Sequence, residues 1–157
     1  MDKEKIKQQI LGLLKIMGVE ASVAAEDRNG QLVFNIKTAD SKLLIGQYGA
    51  NLNALQHIVR LLVRPNTTAG EEEGPVAFSL DVEDYRKERQ RFLEALAQQA
   101  AQRVRDTRQT LVLKPMSRPD RWVIHTELSK YKDLVSQSEG EEPERKVIIK
   151  PKPNPEF

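Results

Sequence analysis

Apolar side chains change their spacing repeatedly along the first 82 residues, and this alternation restricts the fold more than any other feature of the sequence. In residues 3–17 they recur at three- and four-residue spacings, which is typical of an amphipathic helix. These side chains are Ile6, Ile10, Leu13, Leu14 and Met17. Gly18 follows, and a glycine in this place favours the end of a helix. The chain is therefore predicted to begin with a helix that buries one face.

Two strand-like segments come next, at 19–26 and 31–37. The residues between them include Asn29 and Gly30, and an Asn-Gly pair supplies the positive backbone angles that a tight hairpin needs. The sequence therefore predicts two antiparallel strands directly after the first helix.

Two helices and a strand complete this part of the chain. Asp40 can cap a short helix, which is interrupted at Gly46 and restarts after Gly49. The restarted helix carries its apolar residues on one face, namely Leu52, Leu55, Val59 and Leu62. After a loop at 65–75, residues 76–82 alternate as a strand. The order helix, two strands, two helices and strand predicts an α+β domain with one helical layer on one sheet.

A second domain is predicted for residues 83–150, after a first domain that ends at residue 82. It starts with a long helical pattern that runs toward Arg108. The side chains expected on the buried side of this helix are Tyr85, Phe92, Leu96, Ala100 and Val104. A short strand is predicted at 111–113.

The remainder of the second domain is predicted to be one helix and one hairpin. Residues 117–120 have the spacing of a capping box and open a helix that runs to about Tyr131. Segments 134–138 and 145–150 are typical of paired strands. Residues 151–157, rich in proline, are expected to form a disordered tail.

Composition excludes several classes of protein. The 157 residues include no cysteine, which excludes disulfides, thiolate metal sites and iron–sulfur clusters. No apolar run approaches the roughly 18 residues that span a bilayer, and the N-terminus is charged rather than signal-like. The net charge of +2 is too small to indicate a polyanion ligand, so any such site must be local. We predict a cytoplasmic protein without cofactor or metal.

The loop Ile45-Gly46-Gln47-Tyr48-Gly49 is the first motif that indicates a chemistry. Glycines let the backbone approach a ligand, and the following helix offers unpaired N–H groups to an anion, although any tight turn between helices can use glycine. The surrounding order of elements matches the KH domain, whose Gly-x-x-Gly loop clamps about four nucleotides of a single strand. With the helix and hairpin first, the order is that of the type II arrangement.

Arg121 and His125 form the second motif. Their spacing of four places them on one face of the predicted helix, and Arg118 extends that face by a turn. Arginine offers a planar fork to phosphate, and a neutral histidine can donate a hydrogen bond or stack on a base. A histidine beside an arginine on a helix is also common as a plain surface or core-edge residue.

Segments 80–89, 113–125 and 138–149, taken together, resemble the bacterial Jag (SpoIIIJ-associated, KhpB) family. The resemblance covers residues 3–150 and both parts of that family, a KH domain and an Arg-x-x-x-His domain that binds single-stranded nucleic acid. It implies an RNA-binding regulatory protein, such as an RNA chaperone or post-transcriptional regulator, in cell-envelope and division control. The implied partners are single-stranded RNA, with single-stranded DNA as the alternative ligand, and a second small KH protein or a second copy of the chain.

Three features depart from the family pattern. A basic residue is usual between the loop glycines, whereas Gln47 and Tyr48 stand here, so the attraction for phosphate should be weaker unless Tyr48 stacks on a base. The family often has a second arginine at Trp122, which we expect to pack in the core. Members often carry a separate N-terminal domain, and this sequence is expected to lack it.

These motifs define the expected site and leave two alternatives. The residues expected to bind nucleic acid are Lys42, Ile45, Gly46, Gln47, Tyr48, Gly49, Asn51, Lys114, Arg118, Arg121 and His125. One alternative is a scaffold that pairs with another KH protein and binds RNA only secondarily. The other is a hydrolase that uses His125 with Asp120 or Glu127, which we disfavour because few nucleophile or metal ligands accompany them.

Overall fold

Helical and extended segments alternate through the chain in the order that the apolar spacing predicts. The computed structural model describes residues 2–64 and 77–153, and the chain divides into two compact units between Arg86 and Lys87. Each unit has its own sheet and its own apolar core. The α+β class is therefore confirmed, while the predicted domain boundary at residue 82 stays a prediction. The predicted loop at 65–75 lies outside the described residues.

The first unit contains a three-stranded sheet and three helices. Its elements are α1 (Lys3–Ile16), β1 (Ser22–Arg28), β2 (Gln31–Lys37), α2 (Ser41–Ile45), α3 (Ala50–Leu62) and β3 (Phe78–Val82). The strand order is β1-β2-β3, in which β1 and β2 are antiparallel and β2 and β3 are parallel. Since a parallel pair needs a crossover, α2 and α3 lie in the connection between β2 and β3.

The predicted hairpin and first helix are confirmed. Asn29 and Gly30 have φ values of 57° and 80°, which only such residues adopt easily. At the end of α1, Gly18 has φ 74°, and the amide of Val19 donates to the carbonyl of Leu14 at 2.9 Å. The left-handed conformation of Gly18 reverses the chain, so that this amide reaches a carbonyl that the end of the helix leaves without a partner.

The core of the first unit lies between the sheet and its helices. Phe34 on β2 and Phe78 on β3 meet edge to face, with ring centroids 5.6 Å apart. Leu52, Leu55 and Val59 are buried as predicted. Leu62 and Met17 are exposed instead, because each lies at the last turn or cap of its helix, beyond the edge of the core.

Asp40 precedes α2 as predicted, but its carboxylate makes no capping hydrogen bond. The carbonyl of Asp40 accepts from the amides of Leu43 and Leu44, and its own amide donates to the hydroxyl of Thr38. The short helix is therefore started by main-chain hydrogen bonds.

The second unit packs two helices with a three-stranded antiparallel sheet. Its elements are α4 (Tyr85–Thr107), whose first two residues belong to the first unit, β4 (Leu111–Val112), α5 (Arg118–Leu128), β5 (Leu134–Glu139) and β6 (Lys146–Pro151). The strand order is β4-β6-β5. Among the described residues, no helix combines the length and apolar character that a membrane crossing requires.

The buried face of α4 differs from the prediction at Phe92, whose side chain is 57% exposed. The buried side chains are Leu93, Ala97, Ala100, Ala101 and Val104. Three of these five are alanines, which a pattern of large apolar residues does not reveal, so the true face is rotated toward them. Phe92 instead has the guanidinium of Arg89 over its ring, 5.4 Å from the centroid.

Two boundaries in the second unit also differ from the prediction. Helix α5 starts at Arg118, but the capping box does not form: Ser117 makes no side-chain cap, and the Asp120 carboxylate pairs with Arg89, with 2.8 Å between Oδ2 and Nη2. The helix ends at Leu128, earlier than expected. Strand β6 includes Pro151, and the amide of Lys152 donates to Asp133, so the ordered part extends into the predicted tail. Residues 154–157 lie outside the described part of the chain.

Candidate nucleic-acid interface

A cavity of about 590 Å³ opens at α5 and the turn between β5 and β6 in the second unit. It is lined by Arg118, Arg121, Trp122, His125, Ser138, Glu142 and Arg145. Three of these residues were expected from the sequence and four were not. The cavity therefore combines three arginines, an aromatic ring, a carboxylate and groups that can both donate and accept hydrogen bonds.

Arg121 is held by the protein itself. Its side chain is only 6% exposed, Nη1 donates to the carbonyl of Met116 at 2.7 Å, and Nη2 donates to Oε1 of Glu142 at 2.6 Å. Charge-assisted bonds of this length are the strong kind. The guanidinium group that was predicted to bind phosphate is therefore already hydrogen-bonded to acceptors of the protein.

His125 is fixed between two serines. Its Nδ1 lies 2.7 Å from Oγ of Ser136 and its Nε2 lies 2.7 Å from Oγ of Ser138. Burial lowers the pKa of His125 below 6.5, and the charge of Arg121 lowers this pKa further. The neutral ring has one donor and one acceptor nitrogen, which two hydroxyls satisfy. The period of two along β5 puts both serines on one face, a signal that could have identified them.

Arg118 and Arg145 supply cations that can meet a ligand in the cavity. Neither guanidinium has a hydrogen-bonded or ionic partner in the part of the chain that the structure describes, and Nε of Arg145 is buried without an acceptor there. Arg118 projects from the first turn of α5 as predicted. Arg145 was missed, because it enters the cavity from the far end of a hairpin turn, and nothing in the local sequence indicates that approach.

Trp122 corrects the sequence-based interpretation. It was expected in the core, but its side chain is 68% exposed. The buried positions of α5 are Asp120, Arg121, Ile124, Glu127 and Leu128. A residue two positions before Ile124 points away from that face, so the indole is presented at the cavity. Lys114 is also exposed, but it is not among the residues that line the cavity.

The expected residues of the first unit gather around the connection of α2 to α3. Gly46, Tyr48 and Gly49 all have positive φ values, at 68°, 53° and 79°. The side chains of Gln47 and Tyr48 are exposed, as is that of Lys42, whereas Ile45 is half-buried. The structure thus exposes Gln47 and Tyr48 in a tight turn, whereas Gly49 is buried.

The glycines of this loop are required by packing. A Cβ atom on Gly46 would lie 2.5 Å from Cγ of Asn51, whose Nδ2 donates to the carbonyl of Leu43 at 2.8 Å. A Cβ atom on Gly49 would lie 3.1 Å from the Tyr85 ring. Packing within the protein therefore favours glycine at both positions, in addition to any close approach of a ligand.

Three amides in and next to this loop already donate hydrogen bonds within the protein, so fewer amides are available to the predicted phosphate site. The amide of Gly46 donates to Lys42 at 3.0 Å, that of Gly49 donates to Gly46 at 3.4 Å, and that of Ala50 donates to Gln47. At the start of α3, Gly49 offers no capping side chain. Of the first-turn amides of this 13-residue helix, that of Ala50 is therefore already engaged, while the positive end of the helix dipole still favours an anion here.

The carboxylates suggested for a hydrolase do not contact His125. Asp120 is paired with Arg89, and Glu127 accepts from Lys130 and from Gln98. Within residues 2–64 and 77–153, no three histidine, cysteine, aspartate or glutamate side chains lie together in a way that could hold a metal ion. In the described part of the chain, the two ring nitrogens of His125 are therefore hydrogen-bonded to serine hydroxyls and to neither of these carboxylates.

Comparison with known proteins gives consistent similarities. Residues 91–151, which include Arg121 and His125, match the Arg-x-x-x-His domain family. The chain is 36% identical over 133 residues to RNA-binding protein KhpB of Clostridium symbiosum, covering 85% of this chain and 58% of that protein. It is 32% identical over 140 residues to RNA-binding protein KhpB of Lactiplantibacillus plantarum, covering 89% and 42%. For RNA-binding protein KhpB of Bacillus subtilis the identity is 27% over 148 residues, covering 93% and 69%.

The chain spans about half the length of the first two of these curated relatives. The matched region nevertheless includes nearly all of this chain, and the domain match falls on the unit that contains the cavity. The chain is thus similar over most of its length to RNA-binding proteins named KhpB, and its residues 91–151 match an Arg-x-x-x-His domain.

Proposed function

We propose that this chain is a non-catalytic, cytoplasmic regulator that binds single-stranded RNA through two sites. One site is the cavity of the Arg-x-x-x-His domain, and the other is the loop 46–49 of a type II KH domain. The observation that carries the proposal is the cavity itself, where the exposed ring of Trp122 lies with the guanidinium groups of Arg118 and Arg145, both unpaired among the described residues. An open aromatic face and available cations are what a single strand with splayed bases requires.

The energetics favour an open strand over a duplex. Stacking of one base on an aromatic side chain contributes about 1 to 3 kcal/mol, and each arginine can form a two-pronged contact with phosphate. A base can reach the indole of Trp122 only when it is unstacked from its neighbours. The cavity therefore supports single-stranded RNA as the ligand, with single-stranded DNA as the alternative.

The KH assignment of the first unit rests on its order of elements. A helix, an antiparallel pair, two helices and a third strand parallel to β2 surround a Gly-x-x-Gly connection. Lys42 on α2 and Tyr48 within the connection are exposed, and the N-terminus of α3, whose dipole favours an anion, follows directly. In this proposal Tyr48 stacks on a base and compensates for the missing basic residue in the loop.

Fluorescence anisotropy with a labelled single-stranded RNA heptamer tests the proposal. Arg118→Ala and Arg145→Ala are each expected to weaken binding about tenfold, because each removes a charge-assisted contact of about 1.5 kcal/mol or more. Trp122→Ala is expected to weaken binding by a similar factor. Arg103→Ala, on the exposed surface of α4 outside the cavity, is the matched control and should bind like the parent. Equal affinity of all four variants would contradict the proposal.

We also propose a regulatory role for this RNA binding. The relatives are named as RNA-binding proteins, and a link to RNA chaperoning, to post-transcriptional control and to the cell envelope is our proposal for this chain. Crosslinking the protein to cellular RNA and mapping the attached peptides tests it. Peptides from the loop 46–49 and from α5 should carry the RNA.

A pairing function is favoured by one observation in the first unit. Ile58, Leu61 and Leu62 are exposed and share one face of α3 at helical spacing. We propose that this face pairs with a second KH domain, either a second copy or a small KH protein. Leu61→Glu should abolish a dimer seen by light scattering, whereas Gln47→Glu should leave it intact. A strictly monomeric protein that captures no KH partner would remove this function.

The hydrolase alternative is tested separately. Labelled RNA incubated with the protein and Mg²⁺ should remain intact, because Asp120 and Glu127 are engaged elsewhere. Time-dependent cleavage that His125→Ala abolishes would overturn the non-catalytic assignment.

A further inference from the structure

Glu142 places a carboxylate on the wall of the cavity in the Arg-x-x-x-His domain. It stands in the turn between β5 and β6, and its side chain is 56% exposed. Its Oε1 accepts from the buried Nη2 of Arg121 at 2.6 Å. Arg121 in turn is anchored to the carbonyl of Met116. The carboxylate is therefore fixed in position, unlike an ordinary surface glutamate whose side chain turns freely.

Arg121 is unsuited to hold a phosphate in this geometry. A phosphate at Nη2 would have to displace Glu142, and the displaced carboxylate would remain beside the incoming negative charge. Arg118 and Arg145 line the same cavity without competing partners among the described residues. Phosphate should therefore go to these two arginines, and Arg121 acts as a positioning residue for Glu142.

A fixed carboxylate beside an aromatic face selects for hydrogen-bond donors. It has four lone-pair positions, and the bond to Arg121 uses one of them. Guanine is the only common RNA base that presents two adjacent donors, N1–H and N2–H₂, on its Watson–Crick edge. Adenine and cytosine place an acceptor nitrogen next to their amino group, and uracil has a single N–H between two carbonyl groups.

We propose that this cavity reads a guanine in single-stranded RNA. The base stacks on Trp122, its Watson–Crick edge donates to Glu142, and Arg118 and Arg145 hold the adjoining phosphates. This inference rests on the proposed RNA-binding function and adds its base specificity. Pairing of a base edge with a carboxylate also explains why a cavity for a polyanion contains a glutamate.

The test compares five uridine-rich heptamers that differ only at the central base, which is G, inosine, A, C or U. Trp122 is the single tryptophan of the chain, so its fluorescence reports binding at the cavity directly. The parent protein should bind the G heptamer about tenfold more tightly than the A, C and U heptamers. Inosine, which lacks the N2 amino group, should bind with intermediate affinity.

Glu142→Gln should reduce the G preference to about twofold, because an amide offers one acceptor and one donor where guanine needs two acceptors. Glu144→Gln makes the same charge change in the same turn outside the cavity and should keep the preference. Arg121→Lys, which keeps the charge but loses the two-pronged anchor, should lower the ratio of G to U affinity. Thermal melts of all variants accompany the titrations.

Three results would overturn the inference while leaving RNA binding intact. These are equal affinity of the parent for all five heptamers, an unchanged preference in Glu142→Gln, and a uniform gain in affinity of Glu142→Gln for every heptamer, which would make Glu142 only a repelling charge. If guanosine 5′-monophosphate alone binds as tightly as the G heptamer, the ligand is a free nucleotide and the assignment to a strand is wrong. Failure of the parent to bind any heptamer would instead contradict the proposed function.

Discussion

At the scale of single residues, the protonation of His125 makes the free energy of unfolding depend on pH. Burial and then the charge of Arg121 lower its pKa in the folded protein below the ordinary 6.5. The unfolded chain therefore binds more protons than the folded chain between these two values, so the free energy of unfolding rises with pH up to about 6.5. Stability is lost as the pH falls through this range.

Urea unfolding at a series of pH values between 5 and 8 measures this dependence. His125→Gln should remove this rise of the free energy of unfolding between the lowered pKa and 6.5, since an amide does not titrate. His57→Gln changes the exposed surface of α3 and leaves His125 in place, so this variant should keep the pH dependence of the parent. A parent and a His125→Gln variant with the same dependence on pH would contradict the assignment.

Two glycines should respond in opposite directions to the same substitution. Gly46→Ala places a Cβ atom 2.5 Å from Cγ of Asn51 at a φ of 68°, and should lower the free energy of unfolding by about 1 to 3 kcal/mol. Gly12→Ala, on the exposed side of α1 with nothing within 4 Å of the new atom, should raise it by about 0.5 to 1 kcal/mol. Chemical unfolding followed by circular dichroism distinguishes the two. A neutral Gly46→Ala would mean that Asn51 moves without cost.

At the scale of elements, an ion pair between α4 and α5 should matter more than one on the surface of α4. Asp120 is nearly buried and lies 2.8 Å from Nη2 of Arg89. Asp120→Asn should destabilise the protein by about 1 to 3 kcal/mol, because a charged acceptor for a partly buried guanidinium is lost.

The exposed pair of Glu88 and Arg91 provides the control. Its two side chains are mostly in solvent, so Glu88→Gln should change the free energy of unfolding by less than about 0.5 kcal/mol. Thermal unfolding of both variants measures the comparison. Equal effects would show that the link from α4 to α5 adds nothing beyond a surface pair.

The elements themselves could be predicted from the sequence because their signals are local. Apolar spacing located α1, and the Asn29-Gly30 pair located the hairpin of β1 and β2. The buried face of α4 could not be predicted in the same way. Alanines such as Ala97 and Ala101 are buried because other elements approach closely there, and a spacing of large residues does not record that approach.

At the scale of the whole molecule, RNA binding should depend on salt. If roughly four phosphates are neutralised by the chain, the logarithm of affinity should fall with the logarithm of salt concentration at a slope of about −3. Anisotropy titrations of the full chain from low to moderate salt measure this slope. Arg118→Ala with Arg145→Ala should make the slope shallower by about 1.4, at about 0.7 per lost contact with a single strand. A flat response of the parent would contradict a phosphate-based mode of binding.

Some residues of the site could be predicted from the sequence and others could not, as was the case for the helices and strands. Arg118, Arg121 and His125 could be named from helical spacing and from resemblance to a family, and all three line one cavity. Trp122 and Arg145 could not be assigned correctly, because whether a side chain is buried depends on what packs beside it. The cavity is completed by residues of a hairpin turn distant in sequence, among them Glu142 and Arg145.

The sequence by itself determined the order of helices and strands, the tight turns and the α+β class, since these depend on neighbours a few residues apart. Only the tertiary structure decided that Arg121 is enclosed by Met116 and Glu142 and that the ring of Trp122 is open. The physical reason is that a side chain's exposure and charge partner are set by contacts between distant segments. The residue most expected to meet phosphate is therefore bound by the protein, and the tryptophan expected in the core is exposed beside the cavity.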